Sequence, residues 1–191
     1  ERTGIPEYAS WFAFPEDSWG VLESITADKT VSDASGNSQV AAGEVLTYNV
    51  TLTNETDDIL YDGTSFEFTD TLDGNVTFTS VVSASSGTLA YNAGLDRMEW
   101  DGSVPSGGNV TLSYTVTADA AVCSVASVAN QGIVNIDAND DGTLDITEPS
   151  DDPTVDDGAD SDNDNQTNDD DPTIINVDTT NCDVDIAFIK T

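Results

Sequence analysis

The chain has 191 residues, of which 37 are acidic and only four basic (Arg2, Lys29, Arg97, Lys190), and a formal net charge of -33 with no histidine. Nucleic acid and anionic membranes are thereby excluded as partners, since both require clustered Lys and Arg, and cations become the natural ones. Without histidine there is no ordinary catalytic triad or imidazole base, and no glycine-rich phosphate loop follows a strand, so the sequence reads as a non-enzyme.

The acidic excess consists of 28 Asp and nine Glu. Short Asp side chains are favoured where a turning backbone wraps oxygens around a hard cation, so calcium is expected ahead of adaptation to high salt. No run approaches the roughly 20 apolar residues of a membrane span, and no basic segment followed by an apolar stretch opens the chain, which therefore reads as a mature, processed protein.

Residues 1–20 form an arm holding five of the 14 aromatics (Tyr8, Trp11, Phe12, Phe14, Trp19), too apolar to be left in water. Residues 21–136 alternate with period two, as half-buried strands do. Leu46, Tyr48, Val50 and Leu52 point one way, with Thr47, Asn49 and Thr51 opposite. The rhythm returns in Phe66/Phe68, Val76/Phe78 and Val110/Leu112/Tyr114/Val116, separated by turn clusters such as Asp73-Gly74 and Gly107-Gly108. Short strands at near-regular spacing predict an all-β antiparallel sandwich, with Trp100 in its core.

The segment 137–177 is densest in acid: residues 137–171 carry 14 Asp, one Glu and no basic residue. Alone, such a stretch cannot bury enough apolar surface to offset its ordering entropy, so a bound cation is expected to hold it. A closing strand follows at 173–177, and 178–191 form a terminal strand. Cys123 and Cys182, 59 positions apart with no third ligand-type residue nearby, favour one disulfide in an oxidising compartment over zinc. Two free buried thiols are the alternative.

Residues 25 to about 177 resemble the conserved repeat of large bacterial and archaeal surface proteins catalogued as domain of unknown function eleven. Lys29-Thr30, Leu46-Thr47-Tyr48 through Asn54, Asp70-Thr71-Leu72, Trp100, Gly107-Gly108, Asn130-Gln131 and Asp151-Asp152-Pro153-Thr154 carry the resemblance. It implies an immunoglobulin-like β-sandwich and a surface-exposed, often repeated module. Asp73 departs from it, standing where that family usually has proline.

The run from Asp137 to Glu148 offers side-chain oxygens at positions 1, 3, 5, 9 and 12 of an EF-type calcium loop, through Asp137, Asn139, Asp141, Asp145 and Glu148. Gly142 stands at the sharp turn, and Thr143 would offer its backbone carbonyl. With no flanking helices evident, the loop is similar to those of dockerins and thrombospondin type 3 repeats. A looser copy places Asp160, Asp162, Asp164, Asn168 and Asp171 at the same positions, with Asn165 for the glycine and a mixed cluster involving Asp156 or Asp157 as the variant. Five Asn-x-Thr sequons, at Asn49, Asn54, Asn75, Asn109 and Asn165, permit glycosylation, and Asn49 is expected to face outward.

Asp185-Ile186-Ala187-Phe188-Ile189-Lys190-Thr191 resembles the opening strand Ser24-Ile25-Thr26-Ala27-Asp28-Lys29-Thr30, with Lys-Thr in register. A spare first strand can complete a neighbour's sheet. The expected function is thus an extracellular, cell-surface filament subunit, a head-to-tail homopolymer joined by exchange of residues 183–191 or 1–20. Surface glycans or neighbouring cells are further candidate partners. The alternatives are a repeat module of a large adhesin or surface-layer protein and, more weakly, a secreted carbohydrate-binding module.

Overall fold

The computed structural model describes residues 25–55, 66–137, 143–144, 146–155 and 170–182. The described residues form an all-β, immunoglobulin-like sandwich, with regular helix limited to two short 3-10 turns. One sheet is antiparallel throughout and runs β1 (Ile25–Asp33), β3 (Val45–Asn54), β8 (Asn109–Ala118), β5 (Val76–Ala84). The second, also antiparallel, runs β11 (Ile146–Pro149), β10 (Gly132–Ile136), β4 (Phe68–Thr71), β7 (Arg97–Asp101), β6 (Thr88–Asn92). A third runs β2 (Gln39–Val40), β12 (Thr173–Val177), β9 (Ser127–Asn130), with β2 parallel to β12.

The register explains the core. In the β3/β8 pair Leu46 faces Val116, Tyr48 faces Tyr114, Val50 faces Leu112 and Leu52 faces Val110, so the two apolar sets coincide across the ladder. All eight are buried, while Asn49 is exposed. The second sheet answers with Phe68, Met98, Trp100, Val134 and Ile136. Trp100 is fully buried, and its indole N–H donates to the Ser86 carbonyl at 2.9 Å.

Phe66 and Phe68 do not share a face. Phe68 is buried and opens β4, whereas Phe66 precedes the strand and is 38% exposed. Glu67 turns inward between them: its carboxylate accepts the Gly102 N–H at 2.9 Å and its carbonyl accepts the Asn135 N–H at 2.8 Å. Fixing Glu67 in this way breaks the alternation one residue before the strand. At Asp73 a side chain does a proline's work, since its Oδ1 accepts the Asn75 N–H at 2.7 Å and its carbonyl the Val76 N–H at 3.1 Å.

Between β9 and β10 the chain passes from the third sheet to the second. Gln131 holds this corner by donating to the carbonyls of Ser150 at 3.0 Å and Asp170 at 2.7 Å. Cys123, in the 3-10 turn Ala120–Ser124 after β8, is bonded to Cys182, just beyond the turn Thr179–Asn181 that follows β12. The bridge thus joins the first sheet's exit to the third sheet's.

Candidate functional site

All three sheets send polar residues into the core at one place. Lys29 of β1 has the inward parity of Ile25 and Ala27 and is completely buried. Its ammonium meets Asp70 Oδ2 of β4 at 2.6 Å and lies 4.7 Å from the centre of the Tyr48 ring. The Tyr114 hydroxyl donates to the same Asp70 oxygen, and the Tyr114 ring stacks on Tyr48 with centroids 5.3 Å apart.

Asn130 of β9 approaches from the third sheet, where it pairs with Thr173 of β12, whose hydroxyl donates to the Lys29 carbonyl at 3.0 Å. The Asn130 carboxamide N–H donates to the carbonyl of Thr71, next to Asp70, at 2.9 Å. Asn130 is 4% exposed, Asp70 1% and Lys29 0%.

Three oxygens in this cluster have no hydrogen-bond partner: Asp70 Oδ1, Asn130 Oδ1 and the Tyr48 hydroxyl. An orphaned buried polar atom costs about 1–3 kcal/mol, and withdrawing an ammonium from water costs several more. Burial pushes the Lys29 amine below its ordinary pKa, opposed by the charge of Asp70 and its hydrogen bond. Burial likewise raises the Tyr114 hydroxyl well above its usual range, reinforced by Asp70. The site holds an amine inclined to give up its proton, a carboxylate in contact to take it, and a carboxamide whose carbonyl is uncommitted.

Of the expected calcium ligands, Asp137, Thr143, Glu148 and Asp171 fall among the described residues, whereas Asn139, Asp141, Asp145, Asp160, Asp162, Asp164 and Asn168 lie outside them. Asp137 follows β10 and Glu148 lies in β11, both buried, so the first loop is the connection of a β-hairpin. Of the second loop's expected ligands only Asp171 is described, and it is held to the stretch after β11: its carbonyl accepts the Asp152 N–H at 2.9 Å and its own N–H donates to Asp151 Oδ1 at 3.2 Å. Among the described residues no three carboxylates or thiols converge on one point as a metal centre would require. Of the sequons, Asn49 and Asn109 are exposed and Asn75 is half-buried, but Asn54 is fully buried and donates to the Val104 carbonyl at 3.2 Å, which shields it from a glycosylating enzyme.

Residues 24–157 match the family described as Domain of unknown function (DUF7927). The chain belongs to that family. It is a different one from the repeat family that the sequence resembles. No curated protein matches. Among solved structures, the full-length major pilin SpaD of Corynebacterium diphtheriae is similar at 18% identity and a TM-score of 0.51, over 66% of this chain and 33% of that one. Domains D2 and D3 of the same pilin give 18% and 0.50, over 65% and 50%. A C-terminal fragment of the Streptococcus agalactiae major pilin GBS80 gives 16% and 0.46, over 68% and 54%. The chain thus spans a third to a half of the SpaD structures it matches, and the likeness is one of fold. Among the described residues no helix is long and apolar enough to cross a membrane.

In the sequence Lys29, Asp70 and Asn130 stand out only as points of family resemblance. A sharper signal was present. Each has the parity of buried neighbours, Lys29 with Ala27, Asp70 with Phe68 and Asn130 with Val128, and a polar residue at an inward position of a strand requires a partner.

Proposed function

We propose that this protein is a structural subunit of an extracellular cell-surface filament, rigidified by calcium and joined to its neighbours by strand exchange. The observation that carries this reading is the sandwich fold shared with the major pilin SpaD over two thirds of the chain. A β-sandwich bears load well because its strands are tied laterally by many hydrogen bonds that must break together.

Strand exchange needs an open sheet edge, and β5 fits. It ends the first sheet, pairs only with β8 among the described residues, and exposes Val81 and Val82 at 38% and 56%. The other edge of that sheet is partly covered, since Asp151 exchanges hydrogen bonds with β1 at 2.7 and 2.8 Å. An added strand would satisfy the free backbone groups of β5, and a heterologous contact of this kind propagates into a fibre. The donor would be 183–191 or 1–20, which lie outside the described residues.

Calcium is supported by the placing of Asp137 and Glu148, first and last positions of a 12-residue loop and both buried at the base of one hairpin. Asp152, Asp170 and Asp171 are buried nearby in sequence. Carboxylates withdrawn from water need compensating charge, and only four basic residues exist in the chain to supply it.

Negative-stain microscopy of the intact chain, and of chains lacking 183–191 or 1–20, tests the reading with calcium and with EDTA. Filaments from the intact chain with calcium, abolished by one truncation, support it; a chain that stays monomeric at high concentration with calcium overturns it. The second reading, a repeat of a large adhesin or surface-layer protein, is favoured by the match to only 33% of full-length SpaD. Native material then yields a chain far heavier than the 20.1 kDa of this sequence.

A further inference from the structure

We propose that Lys29 and Asn130 become joined by an amide bond that the folded chain forms by itself, with Asp70 as the proton relay. The consequence is a covalent strut through the core, tying β1 to β9.

The chemistry requires nothing the site does not hold. Lys29 Nζ passes a proton to Asp70 and attacks Cγ of Asn130. The Nζ–Cγ bond forms, and the carbonyl electron pair moves onto Asn130 Oδ1. Collapse of that intermediate breaks the Cγ–Nδ2 bond, and Nδ2 leaves as ammonia, carrying a proton that came from Nζ through Asp70. A primary amine and a carboxamide thus become a secondary amide and ammonia, with no change of oxidation state and no co-reactant.

Four observations converge on this step. The amine is fully buried in 2.6 Å contact with the carboxylate that would take its proton, and such desolvation is what makes a lysine nucleophilic. The Asn130 side chain is anchored beside Asp70 through Thr71, while Asn130 and Lys29 are further linked through Thr173. Asp70 engages Lys29 and Tyr114 through Oδ2 alone and leaves Oδ1 without a partner, as Asn130 leaves its own Oδ1. A proton on Asp70 Oδ1 would convert that orphan acceptor into a donor able to polarise the uncommitted Asn130 carbonyl. Holding amine, acid and amide together in a buried site supplies the proximity that makes an otherwise slow aminolysis feasible.

The energetics point the same way. As separate groups, the cluster buries a lysine charge and leaves orphaned oxygens that a plain apolar core would avoid. Amide formation removes the lysine charge permanently, and with Nδ2 leaving as neutral ammonia the remaining proton stays on Asp70, so neither group is left charged in the core.

The test is mass spectrometry of the chain made in a host that does not glycosylate, after reduction. The expected result is a mass lower than the sequence value by one ammonia, about 17 Da. Because an asparagine succinimide loses the same mass, peptide mapping decides. Trypsin cuts after a free lysine, so the expected map lacks cleavage after Lys29 and contains one branched species carrying both Lys29 and Asn130. Lys29→Arg, which keeps the charge beside Asp70, and Asn130→Ala should both restore the full mass. Folded wild-type protein at full sequence mass, cut after Lys29 and yielding Asn130 unmodified, overturns the proposal. Asp70→Asn should show little or no linkage, and complete linkage in that variant overturns the role assigned to Asp70.

Discussion

Replacing Gly132 by alanine perturbs the place where β10 crosses the core. A Cβ built there would lie 2.3 Å from Phe68 Cζ and 2.5 Å from Cε2, against an ordinary carbon–carbon contact of about 3.5–4.0 Å. Something must move by more than about 1 Å, and neither side is free to do so. Phe68 is fully buried. The Gly132 backbone is held on both sides, its N–H donating to Ser150 Oγ at 2.9 Å and its carbonyl accepting the Ser150 N–H at 2.9 Å. The cost should therefore fall at the upper end of overpacking, about 3 kcal/mol, which for a domain of this size lowers Tm by roughly 6–12 °C. Gly74→Ala is the control, since no heavy atom lies within 4 Å of the Cβ it would add. Thermal melts followed by circular dichroism give both values, and the double variant Gly132→Ala/Phe68→Leu gives the mechanism. If the methyl and the ring compete for one space, the double variant is less destabilised than the sum of the singles. A Gly132→Ala melt indistinguishable from that of Gly74→Ala, or strictly additive singles, would refute the reasoning.

Cys123→Ser with Cys182→Ser opens a loop spanning 59 positions and should cost about 4 kcal/mol by the chain-entropy relation; coincident denaturant curves for the variant and the oxidised protein would contradict this. Calcium at a hundredfold excess over its dissociation constant should raise stability by about 2.7 kcal/mol, and melts that coincide in EDTA and in millimolar calcium would count against the expected loops. Asp33 is held down to about 2 from 3.8 chiefly by the Ser35 hydroxyl, with the Asn37 and Ser38 N–H groups adding to it. A depressed carboxyl contributes stability above its unfolded value and loses it as pH falls through the folded one. The Tm difference between wild type and Asp33→Asn should accordingly shrink as pH drops from 3.8 toward about 2, and a difference constant across that window would rule out the linkage.

The fold is legible in the sequence where burial acts with a local period. β3 and β8 are long enough for the apolar parity to repeat four times each, and their cross-strand partners then follow from matching buried faces. The alternation breaks at Phe66, where Glu67, tied to Gly102 and Asn135 far along the chain, overrides it. Candidate cation ligands could be named from spacing because an oxygen-donor loop is contiguous and its geometry is written in consecutive residues.

The core cluster is of another kind. Lys29 and Asp70 are 41 positions apart and come from opposing sheets, with Asn130 arriving from a third. Parity tells each of the three that it faces inward, which is information that local sequence holds. Which inward-facing groups meet depends on strand order, on the sheet change at Gln131 and on the register of β9 against β12, and these are fixed only when whole faces pack. The sequence by itself therefore determined that this is a sandwich of alternating strands with an acid-rich segment. Only the tertiary structure decided that a lysine, an aspartate and an asparagine come together in one part of the core, because burial is a property of a residue and its strand while encounter is a property of the fold.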